Sequence, residues 1–330
     1  MSESGLDFNR WDGPRAGVMA RRWTITSMGL RQLLRGKLFK VLLGLGCVAG
    51  LIVALAGFVF SQTLAEDGWL ASLATKGGPR AEAMMQAVSA MLLLYPDLLV
   101  TGAYKVVFWA QAQLGLLLSL VAMTLLVPQL ITRDRGSQAL TIYLARPLTS
   151  QDYLLGKFGI IIGVLLMLWT GPLVVGWLVS MALVPDMVFF NYSWEAMGAA
   201  LLFNGIAMGV VGSVAFGVSA LAKTPAAARM AWIGLWIVMG VIAQSGALPS
   251  WVSQASFSYD LKMLSDEIFA LSDTLRDASE ILPMLNPNLA REVGQAADHV
   301  GTDQIRGVIV GLVLLVGVSL SLLWGRIKPE

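Results

Sequence analysis

Charged residues are scarce in this sequence. Asp, Glu, Lys and Arg make up only 13% of its 330 residues, whereas 56% are apolar. Because a soluble globular domain carries about 25% charged residues, the composition excludes an ordinary soluble protein and predicts an integral membrane protein. The net charge of +2 shows no large basic excess, and we expect no nucleic-acid partner.

Cysteine and histidine are almost missing. Cys47 and His299 are the only residues of their types, which excludes a disulfide framework and argues against a zinc site built by this chain. A Ser-His triad or a multi-histidine metal centre lacks its components for the same reason. No stretch matches the phosphate-binding G-x-x-x-x-G-K-S/T loop. We therefore expect this chain to hold no metal or cofactor and not to be an enzyme.

Charge is also missing from six long apolar runs. Each has about the 20 residues that an α-helix needs to cross the hydrocarbon core, so each is predicted to be a transmembrane helix. The runs are 41–60, 106–131, 158–184, 196–222, 230–249 and 307–325. Proton-coupled carriers commonly place ionisable residues at mid-membrane, and the absence of such residues here argues against one. The polar side chains in these runs are neutral, among them Gln111, Gln113, Ser119, Thr124 and Gln244.

Basic residues are distributed unevenly among the connecting segments. With the N-terminus inside, the inside segments hold 16 of the 23 lysines and arginines and only 6 of the 21 acidic residues. By the positive-inside rule, both termini are predicted to be cytosolic. Residues 1–23 are predicted to form a cytosolic tail. In residues 24–40, apolar and basic side chains alternate, which predicts an amphipathic helix in the membrane interface or, alternatively, a basic flank of the first span.

Two outside loops, 61–105 and 250–306, are predicted to form a small helical cap. The first contains a stretch of helical propensity, Ala81–Leu94. The second contains Asp260–Leu282, where leucine and isoleucine recur every three or four residues and acidic residues such as Asp266 occupy the other face. We expect this helix to pack on the bundle or on a second copy, and substrate binding is the less favoured interpretation.

The fourth apolar run carries small residues at every fourth position. Gly205, Gly209, Ser213 and Gly217 form a small-xxx-small pattern, which lets membrane helices approach closely. The pattern indicates either packing within the subunit, which we favour, or a dimer contact.

The charged segment Arg133–Lys157 separates the second and third runs. Thr132 or Asp134 can begin a short helix, Pro147 prevents its simple continuation, and Ser150 can cap a second helix that runs into the third span. The pattern predicts a helix–break–helix at the cytosolic surface. Such an element could fit a groove on a soluble partner and pass its movement to both spans. A solvated connector is the alternative interpretation.

Three short motifs follow one another in this segment. They are an acidic-x-Gly-Ser start at Asp134–Ser137, an Arg-Pro-Leu centre at Arg146–Leu148 and a Tyr-x-x-Gly-Lys end at Tyr153–Lys157. Together they resemble the first cytoplasmic loop of permeases of the type-2 ATP-binding-cassette (ABC) transporter family. The residues of this segment are similar to those of a bacterial subgroup of permeases whose substrate is unassigned. A weaker similarity to the family lies at Leu285–Asn288, before the last helix.

The resemblance implies an all-α integral membrane fold of six transmembrane helices. It further implies an amphipathic N-terminal elbow helix, a cytosolic coupling helix between helices two and three, and a small helical outer cap before helix six. The chain would be a permease subunit of an ATP-driven exporter in the bacterial cytoplasmic membrane. Two copies, or one copy and a paralogue, would pair with two separate cytosolic ATPase subunits, which bind ATP and magnesium.

The resemblance also implies roles for individual residues. Those expected to dock the ATPase are Arg133, Asp134, Arg135, Gly136, Ser137, Gln138 and Arg146. Those expected to line a pathway between the two permeases are Gln111, Gln113, Ser119, Thr124 and Gln244. Two alternatives stay open: an ATP-driven complex that transmits force to, or assembles, a periplasmic or extracellular partner without moving a solute, and an ion-coupled secondary carrier or membrane enzyme.

Overall fold

The computed structural model describes residues 17–64, 69–136, 149–184, 188–244, 256–284, 286–298, 300 and 305–327. Within these ranges every regular element is a helix, and none of these residues lies in a β-strand. Long uncharged runs favour this outcome, because in lipid a helix satisfies its backbone hydrogen bonds within one segment. The predicted all-α fold is thereby confirmed for the described part of the chain.

The helices are numbered here in chain order. They are α1 (Val18–Leu34), α2 (Lys37–Leu64), α3 (Trp69–Lys76), α4 (Pro79–Leu94), α5 (Gly102–Val127), α6 (Arg133–Gly136), α7 (Ser150–Leu165), α8 (Gly171–Leu183), α9 (Val188–Leu221), α10 (Pro225–Gln244), α11 (Phe257–Ile268), α12 (Leu271–Ile281), α13 (Pro287–Asp298) and α14 (Ile305–Ile327).

Five helical stretches are long and apolar enough to cross a membrane. They are Lys37–Gln62, Leu98–Thr132, Ser150–Leu183, Phe190–Leu221 and Ile305–Gly325. These stretches coincide with five of the six predicted spans. The remaining prediction, 230–249, overlaps α10, whose apolar stretch Pro225–Val241 is shorter. Residues 245–249 of that prediction lie outside the described residues, so the described chain has five candidate spans and one shorter apolar helix.

Large apolar side chains cover the outside of several of these helices. Leu51 of α2, Val241 of α10 and Leu314 of α14 are each more than 60% exposed. Soluble monomers rarely expose apolar surface on this scale. The exposed faces therefore indicate helices that meet lipid, in agreement with a multi-pass membrane protein.

Helices α2 and α8 pack with their backbones in contact. A Cβ atom at Gly50 would meet the carbonyl oxygen of Pro172, and one at Gly176 would meet the carbonyl oxygen of Gly50. Only glycine permits an approach this close. These glycines were not among the predicted contact residues, although close small-residue contacts are the usual way in which membrane helices associate.

The small residues of the pattern on α9 differ in whether another helix lies close to them. A Cβ atom at Gly217 would lie 3.3 Å from Cβ of Ser319 on α14, whereas one at Gly205 or Gly209 would have no atom of a described residue within 4 Å. The favoured interpretation, packing within the subunit, therefore holds at Gly217, and no described residue packs in this way on Gly205 or Gly209.

Two of the long helical stretches contain a π-helical turn next to a proline. Leu166–Thr170 joins α7 to α8 and ends two residues before Pro172, and Pro128–Thr132 joins α5 to α6. Proline has no backbone N–H to continue the regular hydrogen-bond ladder, so the helix changes its register nearby.

The amphipathic stretch Asp260–Leu282 is not one helix. It is divided into α11 and α12 at Ala270, which adopts a left-handed conformation with φ 47°. Helix α11 packs against α14 and α10, whereas α12 packs against α13. The leucine pattern predicted helical periodicity correctly, but the prediction of a continuous helix was wrong because the two halves bury their apolar faces against different neighbours.

The N-terminal helix α1 packs along α7. It begins and ends six residues earlier than the predicted range of 24–40, and Arg35 and Gly36 separate it from α2. Residues 18–23 of the predicted tail are therefore helical, and residues 1–16 lie outside the described residues. The bundle end at which α5 passes into α6 and α7 begins is called the α6 end below.

Candidate functional site

The last turn of α5 is fixed to α9 by Ser219. The hydroxyl of Thr132 donates to the Ser219 carbonyl oxygen at 3.0 Å, and the Ile131 N–H donates to the Ser219 hydroxyl at 3.1 Å. The Ser219 hydroxyl in turn donates to the carbonyl oxygen of Val127 at 2.9 Å. Because the Thr132 hydroxyl is hydrogen-bonded to α9, it does not cap a new helix. The chain therefore continues from α5 into α6 without the separate helix start that was predicted at Thr132.

Helix α7 begins with a capping interaction at Thr149. The Thr149 hydroxyl accepts the N–H of Asp152 at 3.2 Å and donates to Oδ2 of the same residue at 2.9 Å. The cap is thus one residue before Ser150, the predicted position. A side-chain oxygen at this place satisfies one of the unpaired amides of the first helical turn.

Two contacts attach the start of α7 to α1. The guanidinium of Arg22 places Nε and Nη2 each 2.7 Å from Oδ1 of Asp152, whose side chain is only 6% exposed. One turn further on, the Thr26 hydroxyl donates to the Gly156 carbonyl oxygen at 2.9 Å. The two helices are therefore joined by an ion pair and a buried hydrogen bond.

The ends of α5 and α7 meet at an ion pair that we call the α5–α7 junction, formed by Gln129, Leu130, Asp134, Tyr153 and Lys157. Lys157 Nζ lies 2.7 Å from Asp134 Oδ2, and the Tyr153 hydroxyl lies 2.6 Å from the same oxygen. Lys157 Nζ also donates to the Gln129 carbonyl oxygen at 3.1 Å. The Tyr153 hydroxyl lies 3.1 Å from the carbonyl oxygen of Leu130. The two charged side chains are only 12% and 16% exposed.

These contacts connect four helices at the α6 end. Ser219 holds α5 against α9, the junction holds α5 against α7, and Arg22 holds α7 against α1. Charge-assisted hydrogen bonds are shorter and stronger than neutral ones, and the junction is largely shielded from water. The segment between Gly136 and Thr149 is thus attached at both of its ends to a firmly connected part of the bundle.

The predicted docking residues fall into three groups. Arg133 is exposed and Asp134 belongs to the junction. Arg135 and Gly136 are the last two residues of α6. The remaining three, Ser137, Gln138 and Arg146, lie outside the described residues.

The predicted pathway residues are dispersed along the bundle. Gln111 donates to the Trp169 carbonyl oxygen at 3.0 Å, and Gln113 donates to the Ser265 hydroxyl at 2.8 Å. Their neighbours Ser119 and Thr124 each donate to a backbone carbonyl of α5 itself. Thr124 also borders an apolar groove between α5 and α10. Gln244 is the last residue of α10.

Two acidic side chains are buried in α11, at the other end of the bundle. Asp266 is 2% exposed and accepts the indole N–H of Trp109 at 2.7 Å. It had been assigned to the polar, exposed face of the predicted helix, and that assignment is wrong because α11 is packed on several sides. Burial raises the pKa of Asp266, and the hydrogen bond from Trp109 opposes that rise.

The second acid of α11, Asp260, is 3% exposed. Its Oδ1 has no hydrogen-bond partner among the described residues. Desolvation by burial raises the pKa of Asp260 to about 7. A carboxyl group in this environment changes its charge near neutral pH, because burial disfavours the ionised form.

Sequence reasoning placed Asp134 in the site but not its partners. Tyr153 and Lys157 were part of the Tyr-x-x-Gly-Lys motif, and their spacing of four residues places both on one face of α7. That spacing was the available signal for a shared contact. Arg22 and Asp152 carried no comparable signal, since 130 residues separate them in the chain.

Comparisons with known proteins identify no relative: no protein-family model matches this sequence, and no curated protein matches it.

Proposed function

We propose that this chain is the membrane-spanning permease subunit of an ATP-driven transporter of the type-2 ABC class, working as an exporter. A separate cytosolic ATPase would hydrolyse ATP with magnesium and drive two permeases, either two copies of this chain or one copy and a paralogue. In this proposal α1 is the elbow helix, α10 is the fifth of six spans, and both termini are cytosolic.

The α5–α7 junction is the observation that carries the proposal. A coupling element must be held at both ends, so that a push on it moves helices rather than bending a loop. Asp134 and Lys157 supply that connection across the segment, and Ser219 and Arg22 extend it to α9 and α1. An ordinary connector between two spans needs no buried ion pair, because a short polar loop satisfies its backbone with water.

The absence of charged side chains from the apolar runs supports an external energy source. Proton relays and many ion-coupled carriers use ionisable residues at mid-membrane, and the six runs contain none. A separate ATPase that acts on the α6 end supplies the missing energy without any such residue.

Site-specific crosslinking in cells tests the proposal. Cys47 is the only cysteine of the chain, so a C47S background lets one new cysteine be labelled at a time. We expect Gln138→Cys, in the predicted docking segment, to capture a soluble ATPase of the ABC class. Arg80→Cys is the matched control, since Arg80 is exposed on α4, which belongs to a predicted outside loop.

An ATPase captured at position 138 and not at position 80 supports the proposal. The proposal fails if no ATPase is captured at position 138, or if the same proteins are captured at both positions. Ion-gradient transport by the purified chain alone would instead favour the secondary-carrier alternative.

A further inference from the structure

A cavity lies beside the α5–α7 junction, between α1, the end of α5 and α7. Its volume is about 170 Å³. This is below the roughly 300–1,000 Å³ of pockets that enclose drug-sized ligands, so the cavity suits one small group rather than a whole substrate. The cavity shares Gln129, Leu130, Asp134 and Lys157 with the junction, and Gly29, Gln32, Leu126, Arg133 and Ile160 complete its described lining.

The lining of the cavity has two chemical zones. Leu126, Leu130 and Ile160 form an apolar wall, and they lie within the stretches that are able to cross a membrane. Arg133 lies one residue beyond the stretch that ends at Thr132, and Gln32 of α1 lines the cavity as well. The cavity therefore lies where the apolar stretch Leu98–Thr132 gives way to charged residues.

Among the described lining residues, the polar zone carries two cations and one carboxylate. Arg133 and Lys157 are the cations, and Asp134 is the carboxylate. Asp134 is already engaged by Lys157 at 2.7 Å. The guanidinium of Arg133 and the amide of Gln32 add hydrogen-bond donors, and both residues are exposed. A net positive cavity with several donors suits an anion with several acceptor oxygens, and a guanidinium matches the geometry of a phosphate in particular.

From this arrangement we propose that the cavity binds a phosphate group, supplied by the headgroup of an anionic phospholipid. In this proposal the phosphate contacts Arg133, Lys157 and Gln32. Basic pockets between membrane helices at the cytoplasmic surface bind anionic headgroups in this manner. The site does not depend on an ATPase partner, so it stands or falls separately from the transport proposal.

The binding is measured as lipid-dependent thermal stabilisation of the purified, delipidated full-length chain in detergent, followed by tryptophan fluorescence. Dioleoyl-phosphatidylglycerol is the anionic probe, dioleoyl-phosphatidylcholine is the zwitterionic comparison, and sodium phosphate is the free anion. A ligand that binds the folded state raises the melting temperature in proportion to RT ln(1 + [L]/Kd). We expect phosphatidylglycerol to raise the melting temperature and phosphatidylcholine to have little effect.

Charge variants give the proposal its sharpest test, because they act in opposite directions. Arg133→Gln is expected to weaken the apparent affinity for phosphatidylglycerol about tenfold, which is the loss of one charge-assisted hydrogen bond. Asp134→Asn removes the one carboxylate among the described lining residues, and it also breaks the ion pair with Lys157. Because it removes a negative charge, it is expected to strengthen the affinity several-fold. Gln32→Leu keeps every charge and is expected to weaken binding. Arg31→Gln removes an exposed cation from the adjacent position of α1 and is the matched control.

Each result bears on the proposal. Weakening by Arg133→Gln but not by Arg31→Gln, together with strengthening by Asp134→Asn, supports it. If sodium phosphate reproduces both the shift and the variant pattern, the phosphate site is upheld and its source is a free anion rather than a lipid. The proposal is overturned if neither phosphate source stabilises the chain, if both lipids act alike, or if Arg133→Gln and Arg31→Gln have the same effect.

Discussion

The ion pair between Asp134 and Lys157 is expected to contribute strongly to stability. At the observed separation of 2.7 Å, the Coulomb attraction is about 6 kcal/mol with an effective dielectric constant of about 20, before the cost of removing both groups from water. With side chains only 12% and 16% exposed, the pair is closer to a buried pair than to a surface pair. Removing one partner of a buried pair costs about 3–5 kcal/mol.

A double-mutant cycle isolates this contribution. Asp134→Asn and Lys157→Met keep the approximate shapes of the side chains and remove one charge each. We expect each single variant to lower the free energy of unfolding by about 2–4 kcal/mol. The double variant is expected to lose less than the two single losses together, with a coupling energy of about 2–3 kcal/mol. Reversible unfolding in mixed micelles is the measurement.

Lys105 and Glu195 provide the matched control pair. Their charged atoms are 2.9 Å apart, a separation similar to that at the junction, but the Glu195 side chain is 66% exposed. Pairs this open to solvent contribute about 0–1 kcal/mol, so the Lys105→Met and Glu195→Gln cycle is expected to give a coupling below about 1 kcal/mol. A coupling at the junction no larger than that of the control would refute the argument that burial makes this ion pair a mechanical link.

Two further predictions concern the packing of the bundle. The pKa of Asp260 is raised to about 7, so the folded state binds the proton more tightly than the unfolded state. The free energy of unfolding is therefore expected to fall by about 2–3 kcal/mol as the pH rises from 5 to 8. Asp260→Asn should remove most of this fall in thermal unfolding, whereas Asp298→Asn, at a 72% exposed side chain, should leave it unchanged. Gly115→Ala places a methyl group against the Trp169 ring and is expected to cost about 1–3 kcal/mol, whereas Gly44→Ala, which meets no atom within 4 Å, should be neutral within about 0.5 kcal/mol. Equal effects of the two glycine variants would contradict this account of the packing.

The positions of the long helices could be predicted from the sequence because few backbone structures satisfy their hydrogen bonds in lipid. An uncharged run of about 20 residues has to form a helix in the membrane, and its ends are marked by charge. Five predicted spans therefore correspond to long apolar helices. The fifth predicted span, 230–249, is not among them: the apolar stretch found in α10 is Pro225–Val241, and residues 245–249 lie outside the described residues.

Contacts between helices could not be predicted in the same way. A small-residue pattern says that a backbone can be approached closely, but not by which neighbour. Among the described residues, the pattern at Gly205 and Gly209 therefore makes no close contact, while Gly50 and Gly176 form one. The burial of Asp266 was missed for the same reason, because an acidic residue on an amphipathic helix is usually exposed, and its hydrogen bond from Trp109 depends on how α5 and α11 pack together.

The candidate site was predicted in part. The charged segment between two spans and its motifs pointed to Asp134, and the spacing of Tyr153 and Lys157 placed them on one helix face. That all three side chains meet depends on how α7 lies against the end of α5, which is a tertiary feature. Ser219 was also missed, because a serine in an apolar run is common and its three contacts with α5 appear only in the folded chain.

The most direct test of the central claim is ATP hydrolysis by the partner captured at position 138, measured in proteoliposomes with and without this chain. The account predicts that the chain alone is inactive and that it changes the hydrolysis rate of the partner. Asp134→Lys is expected to abolish this change, and the combined exchange Asp134→Lys with Lys157→Asp is expected to restore part of it. A hydrolysis rate that does not respond to the chain, or that responds equally to all variants, would contradict the account.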